Sequence, residues 1–177
     1  MNPTPVTTWR YHLPSVNCEG WAVAFLDSIG CFAVLSDYGD YGHRWPQNGW
    51  GPGGFRDFFL QCGDDYVLRK IAPRKCYDGD ATFREVKRRI CDLRRHGSWS
   101  RDRAREEWDL LLGSEGLYSR EDFSVWYQRT QIDEAYDLAV YDVEPQAKGF
   151  VTFCLPRLRE AIRAELERER TELGETS

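Results

Sequence analysis

The chain has 177 residues and a formal net charge of −5, a size that suits a single domain burying roughly 70% of the surface its unfolded chain exposes. With 41% hydrophobic and 14% aromatic residues, it has apolar area for a core that needs no metal or disulfide staple, which excludes intrinsic disorder over most of its length. The longest strongly apolar run, Trp21 to Leu26, is too short to cross a bilayer, and the opening MNPTPVTTWRYH lacks a basic n-region and a continuous apolar stretch, so the expected location is cytoplasmic.

Residues 1–7 hold two prolines and little to pack, and Thr8 to Leu13 reads as a short strand ended by Pro14. The clearest strand pair is Gly20 to Leu26 followed by Cys31 to Ser36 across the turn Asp27-Ser28-Ile29-Gly30, where Asp accepts from the backbone and Gly takes a positive φ. Alternation puts Trp21, Val23 and Phe25 on one face, and the small Ala22, Ala24 and Ala33 on a second face suited to close packing beneath helices. Tyr41 to Trp45 is a candidate third strand beside this hairpin, reached through Asp37-Tyr38-Gly39-Asp40, and 46–54 is a loop anchored by Trp50.

Helical spacing begins at Phe55, Phe58, Phe59 and Cys62, and Asp64 is expected to cap a second helix with Tyr66, Val67 and Ile71 on its buried side. Thr82 and Glu85 have capping-box spacing for a helix through Leu93, striped by Phe83, Val86 and Ile90 and closed at His96-Gly97. Ser100, then Ser119 with Asp122, are further caps. Ile132 to Ala139 keeps helical period, while Val140-Tyr141 permits a strand. A last helix runs from about Gln146, with Pro156 kinking it or starting its second half. The fold class is α+β: an N-terminal antiparallel sheet of three or four strands packed against a predominantly helical C-terminal half, in one domain over 1–177 with loosely ordered ends at about 1–7 and 170–177.

The six cysteines, Cys18, Cys31, Cys62, Cys76, Cys91 and Cys154, contain no CxxC pair and read as reduced, mostly buried thiols. No cofactor or metal ligand set is implied, and no catalytic residue is assigned. The densest polar and aromatic segment is Ser36 to Trp45, whose Asp37, Tyr38, Asp40, Tyr41, His43, Arg44 and Trp45, with Trp50 beyond, form the candidate interaction surface. Its plain alternative is a polar turn whose aspartates bond the backbone. Asp37, Asp40 and His43 with Arg44 as a charge clamp would serve a small enzyme acting on a phosphorylated or nucleotide substrate only if they converge in one pocket. Gly49 to Gly54 lacks the Lys-Ser/Thr end of a phosphate loop.

Charge is segregated: residues 69–105 carry thirteen basic and five acidic side chains, whereas 106–145 carry two basic and eleven acidic. Arg84, Lys87, Arg88, Arg94, Arg95 and Arg101 therefore form a candidate basic surface for nucleic acid, for an acidic protein, or for pairing with the acidic block that follows. Paired carboxylates such as Glu106 with Asp109, or Asp133 with Asp137, read as solvated helix faces.

At the hairpin, at Ser36-Asp37-Tyr38-Gly39-Asp40-Tyr41, Trp45, Phe55/Phe58/Phe59, and Asp65-Tyr66 with Lys70, the chain resembles small uncharacterised proteins encoded by bacteriophages and prophages, over roughly residues 17 to 105. That resemblance implies an accessory role such as binding a host enzyme or defence complex, and transfers no catalytic residue. The expected function is a non-catalytic accessory protein whose partner is a host protein or nucleoprotein complex, with counter-defence as its most specific form. Nucleic acid is the secondary partner, a membrane is not expected, and the sequence fixes no oligomeric state.

Overall fold

The computed structural model describes residues 5–46, 50–51, 53–114, 116–172 and 174. In chain order the elements are β1 (Thr8–Leu13), β2 (Ala22–Asp27), β3 (Cys31–Ser36), β4 (Gly39–Arg44), α1 (Gly54–Gln61), α2 (Asp64–Ile71), β5 (Lys75–Tyr77), α3 (Gly79–Arg95), α4 (Arg101–Leu112), α5 (Arg120–Tyr127), a 3-10 turn (Ala135–Leu138), β6 (Tyr141–Val143), α6 (Pro145–Gly149), a π-helical turn (Phe150–Cys154) and α7 (Leu155–Glu172). The architecture is α+β, a four-stranded antiparallel sheet followed by a helical C-terminal half. Among the described residues, no helix is long and apolar enough to cross a membrane. The expected loose ends fall largely on residues outside the described ones, although α7 extends to Glu172.

The chain divides into two compact units, one of residues 1–74 with 143–177, the other of residues 75–142. In the first, β1 to β4 form a meander in sequence order. Asp27 Oδ1 accepts from the amides of Ile29 and Cys31, and Gly30 turns the chain at φ +93°, as the sequence dictates for this hairpin. The register pairs Ala24 with Val34, Leu26 with Phe32 and Tyr11 with Ala24, so these residues share the face that packs on Phe59, Phe150, Leu155 and Leu158. Ala22 and Ala24 do lie in this core, but Ala33 pairs with Phe25 on the opposite face and is exposed, which corrects its expected placement.

Arg56, on α1, ties the unit together. Its guanidinium bonds Glu165 at 3.1 Å and Glu169 at 2.5 Å on α7 and lies 4.2 Å from the centre of the Trp9 ring on β1. The Tyr11 hydroxyl donates to Glu165 as well. Burial opposes the charge on Arg56, but the hydrogen bonds to Glu169 and Tyr11 outweigh it and hold the guanidinium pKa above its ordinary value.

The second unit packs α3, α4 and α5 around Val86, Ile90, Leu111, Phe123 and Trp126. Ser100 caps α4 by accepting from the Arg103 amide, and Ser119 with Asp122 forms a capping box for α5. The start of α3 differs from the sequence expectation: Asp78 accepts from the Ala81 amide, one turn before Thr82. Thr82 is instead fully buried, its hydroxyl accepting from the Val140 amide at 2.9 Å. Likewise α2 is capped by Gly63 without a side-chain bond, and Asp64 is its first helical residue.

Candidate functional site

The turn between β3 and β4 is held by Ser36, whose hydroxyl donates to the Gly39 carbonyl at 2.7 Å and accepts from the Tyr38 amide. Asp37 accepts from the Trp21 amide at 2.8 Å, so this carboxylate secures a backbone crossing. Along β4 the residues alternate. Tyr41 pairs with Val34 and His43 with Phe32 on the core side, while Asp40 and Arg44 pair with Leu35 and Cys31 on the other. Asp40 and His43 therefore face opposite ways, and the Asp37, Asp40, His43 constellation does not converge. His43 also rests edge-on against Trp45, centroids 4.5 Å apart, where burial and then the charge of Lys70 lower its pKa and favour the neutral ring.

Two further residues of the expected surface are internal. Trp45 is 2% exposed, wedged among Phe32, Phe55 and Phe59, with its Nε1–H donating to the Tyr66 hydroxyl at 3.2 Å. Trp50 is half-buried on Phe55 and Phe58, where the sequence placed an exposed loop anchor. Of the glycine-rich stretch around it, Gly49 and Pro52 lie outside the described residues.

Tyr38 has a different setting. Its ring stacks on Phe153 at 5.7 Å and 11°, and its hydroxyl donates to Glu19 at 2.6 Å. Burial and that bond push the hydroxyl pKa up to about 12, so it stays a donor through the physiological range. Phe153 reaches Tyr38 because of the π-helical turn: the Leu155 amide donates to the Phe150 carbonyl, five residues back. Pro156, next in the chain, has no amide to donate. The widened turn keeps Phe150, Val151 and Cys154 inside and leaves Phe153 outside.

Beside this pair, Val16 and Glu19 close a tight hairpin through Asn17 and Cys18, both at positive φ, the conformation of a two-residue type I′ turn. Arg157 donates to the Gly20 and Pro14 carbonyls and fixes the hairpin to α7. A shallow cavity of about 330 Å³ lies between Val16, Glu19, Tyr38, Phe153 and Arg157. Val16 is 56% and Phe153 52% exposed. Sequence reasoning found Tyr38 but missed Val16, Glu19, Phe153 and Arg157, and the one local signal was Pro156 three residues after Phe153.

In the second unit, the six residues of the expected basic surface separate. Arg88 bonds Glu85 and Asp92 on its own helix, and Arg95 approaches Asp92 at 3.7 Å. Lys87 lies over the rings of Phe83 at 4.2 Å and Trp108 at 5.5 Å. Arg84, Arg94 and Arg101 are exposed and carry no ion pair among the described residues. Arg94 and Arg101 border a groove of about 590 Å³ between α3 and α4, with Ile90, Ala104, Arg105 and Trp108.

Glu106, Asp109, Asp133 and Asp137 are exposed, whereas Glu107 is buried and accepts from the Thr130 hydroxyl and the Gln131 amide, so it holds a loop. The cysteines are all free; Cys154 is buried, Cys31, Cys62 and Cys91 are half-buried, and Cys18 and Cys76 are exposed, fewer inside than expected. Burial raises the thiol pKa of Cys31, Cys62 and Cys154, which keeps them protonated. Among the described residues, no group of three or more His, Cys, Asp or Glu is placed to hold a metal ion.

Neither a curated protein nor a solved structure matches the chain. A protein-family model described as a phage family, phiTE_072, matches residues 4–164, well beyond the 17 to 105 over which the sequence resembles phage proteins. The chain belongs to this phage family.

Proposed function

We propose that the protein is a non-catalytic phage accessory protein that binds a host protein or nucleoprotein complex, with counter-defence as the most specific form of that role. The observation that carries this reading is the exposed Phe153 stacked on the half-buried Tyr38, beside the exposed Val16. Solvent-facing aromatics held rigidly by their surroundings are the side chains that dominate protein interfaces, because they bury much apolar area at little rotamer cost. Here the rigidity has identifiable sources: the π-helical turn, the Glu19 bond and the arginine-braced hairpin. Asp37 and Asp40 add carboxylates at the rim of the same sheet end. The rival reading, an enzyme using Asp37, Asp40 and His43, loses its residues to opposite strand faces.

Affinity purification from nuclease-treated host extract, followed by mass spectrometry, is the test. One stoichiometric partner is expected with the native chain and none with Phe153→Glu, whose fold is checked by circular dichroism. Recovery of no partner at low and moderate salt, or equal recovery with the variant, refutes the reading.

A further inference from the structure

We infer that the groove between α3 and α4 is a second binding site, and that it takes an acidic peptide segment carrying an apolar anchor residue. Three observations point there. The groove, about 590 Å³, is large enough for several side chains, and its apolar lining is Ile90, Ala104 and Trp108. Its cations are Arg94, Arg101 and Arg105, of which only Arg105 has an ion pair among the described residues, with Asp109 at 3.5 Å. Guanidinium groups present paired donors that match a carboxylate in two parallel hydrogen bonds, and beside an apolar surface such bonds are shielded from water.

Charge complementarity favours a peptide over nucleic acid. A phosphate-tracking surface needs a run of unpaired cations, roughly 6–10 contacts for a protein with steep salt dependence. Here Arg88 is bound by Glu85 and Asp92, Arg95 by Asp92 and Arg105 by Asp109, and Asp102 also lines the groove. These carboxylates interrupt any track and would repel a continuous phosphate chain. Two free arginines flanking an apolar floor fit a segment in which carboxylates bracket a leucine or phenylalanine.

This site is independent of the Tyr38–Phe153 surface, so its test is separate from the affinity purification. The probes are a fluorescein-labelled short peptide alternating aspartate with leucine and phenylalanine, the same peptide with lysine for aspartate, oligothymidylate, and inorganic phosphate as a competitor. Fluorescence anisotropy with the full chain at about 0.1 M salt is expected to show saturable binding of the acidic peptide and none of the lysine peptide. Arg94→Ala with Arg101→Ala is expected to weaken it about tenfold, as is Trp108→Leu, whereas Arg84→Ala, outside the groove, leaves it unchanged. The proposal is overturned by absence of saturable peptide binding, by equal affinity in the double variant, or by tighter binding of oligothymidylate. Displacement of the peptide by millimolar-range phosphate alone overturns it too, since the site would then be a plain anion site.

Discussion

Arg56 offers the sharpest test of what holds the first unit together. Its side chain is 9% exposed, while those of Glu165 and Glu169 are 31% and 42% exposed. Removing one partner of a buried ion pair costs about 3–5 kcal/mol, because the other charge is left without compensation. Here the two carboxylates can rehydrate, which reduces that loss to about 1–3 kcal/mol. The guanidinium over Trp9 adds about 0.5–1 kcal/mol. Arg56→Met keeps the aliphatic stem and removes only the charge and its bonds, so it should lose about 1.5–4 kcal/mol in urea unfolding followed by tryptophan fluorescence, at an unchanged m-value. The control is Arg88→Met, whose partners lie on its own helix and whose side chain is 63% exposed; its midpoint should not move. A loss under about 1 kcal/mol in Arg56→Met, or a loss no larger than the control's, would refute the idea that one arginine couples β1, α1 and α7.

Gly30→Ala should cost about 2 kcal/mol or more, because the residue sits at φ +93° and a Cβ would fall 2.4 Å from both the Trp45 carbonyl oxygen and the Trp50 ring; an unshifted thermal midpoint would show that the turn relaxes freely. Glu169 titrates below its ordinary value of 4.5, chiefly through its hydrogen bond to Arg56 and against the effect of burial. A depressed carboxyl contributes stability that is present above its unfolded pKa and lost as pH falls through its folded pKa, so the urea midpoint should drop as pH is lowered below 4.5, and Glu169→Gln should flatten that drop; parallel pH profiles for the two proteins would contradict this.

Local physics made much of the fold legible. β1 spans the residues that its β-branched and aromatic character indicated, and the Asp27 to Gly30 turn has the donors and the positive φ that its residue types require. Ser100 and Ser119 cap as their spacing predicts. Thr82 misleads because Asp78, four residues earlier, is an equally good cap, and a distant group claims the Thr82 hydroxyl: the half-buried Val140 amide donates to it. The strand face is ambiguous for a related reason. Trp21 to Leu26 is apolar throughout, so no alternation reveals which parity meets the helices. Pairing with β3 decides it, since Leu26 lies opposite Phe32 and Ala24 opposite Val34.

The candidate sites were legible only where chemistry is local. Trp45 and Trp50 looked like surface aromatics because neighbouring glycines, prolines and charges suggest exposure, yet the phenylalanines of α1 draw both inward. Phe153 lies on the last helix with the buried Phe150 and Cys154, and one π-helical turn leaves it outside. The charge blocks show the same limit from another side. Opposite blocks along the chain suggest pairing between them, but Arg88 and Arg95 pair within the basic block on α3, and Arg105 crosses to the acidic block only as far as Asp109 on its own helix, all three or four residues apart. Such pairs close over the shortest side-chain reach and order little additional backbone. They neutralise three of the thirteen cations of residues 69–105 and leave the others, Arg84, Arg94 and Arg101 among them, without an ion pair among the described residues. Salt dependence of peptide binding in the groove between α3 and α4 should reflect its two or three arginines, not the whole segment.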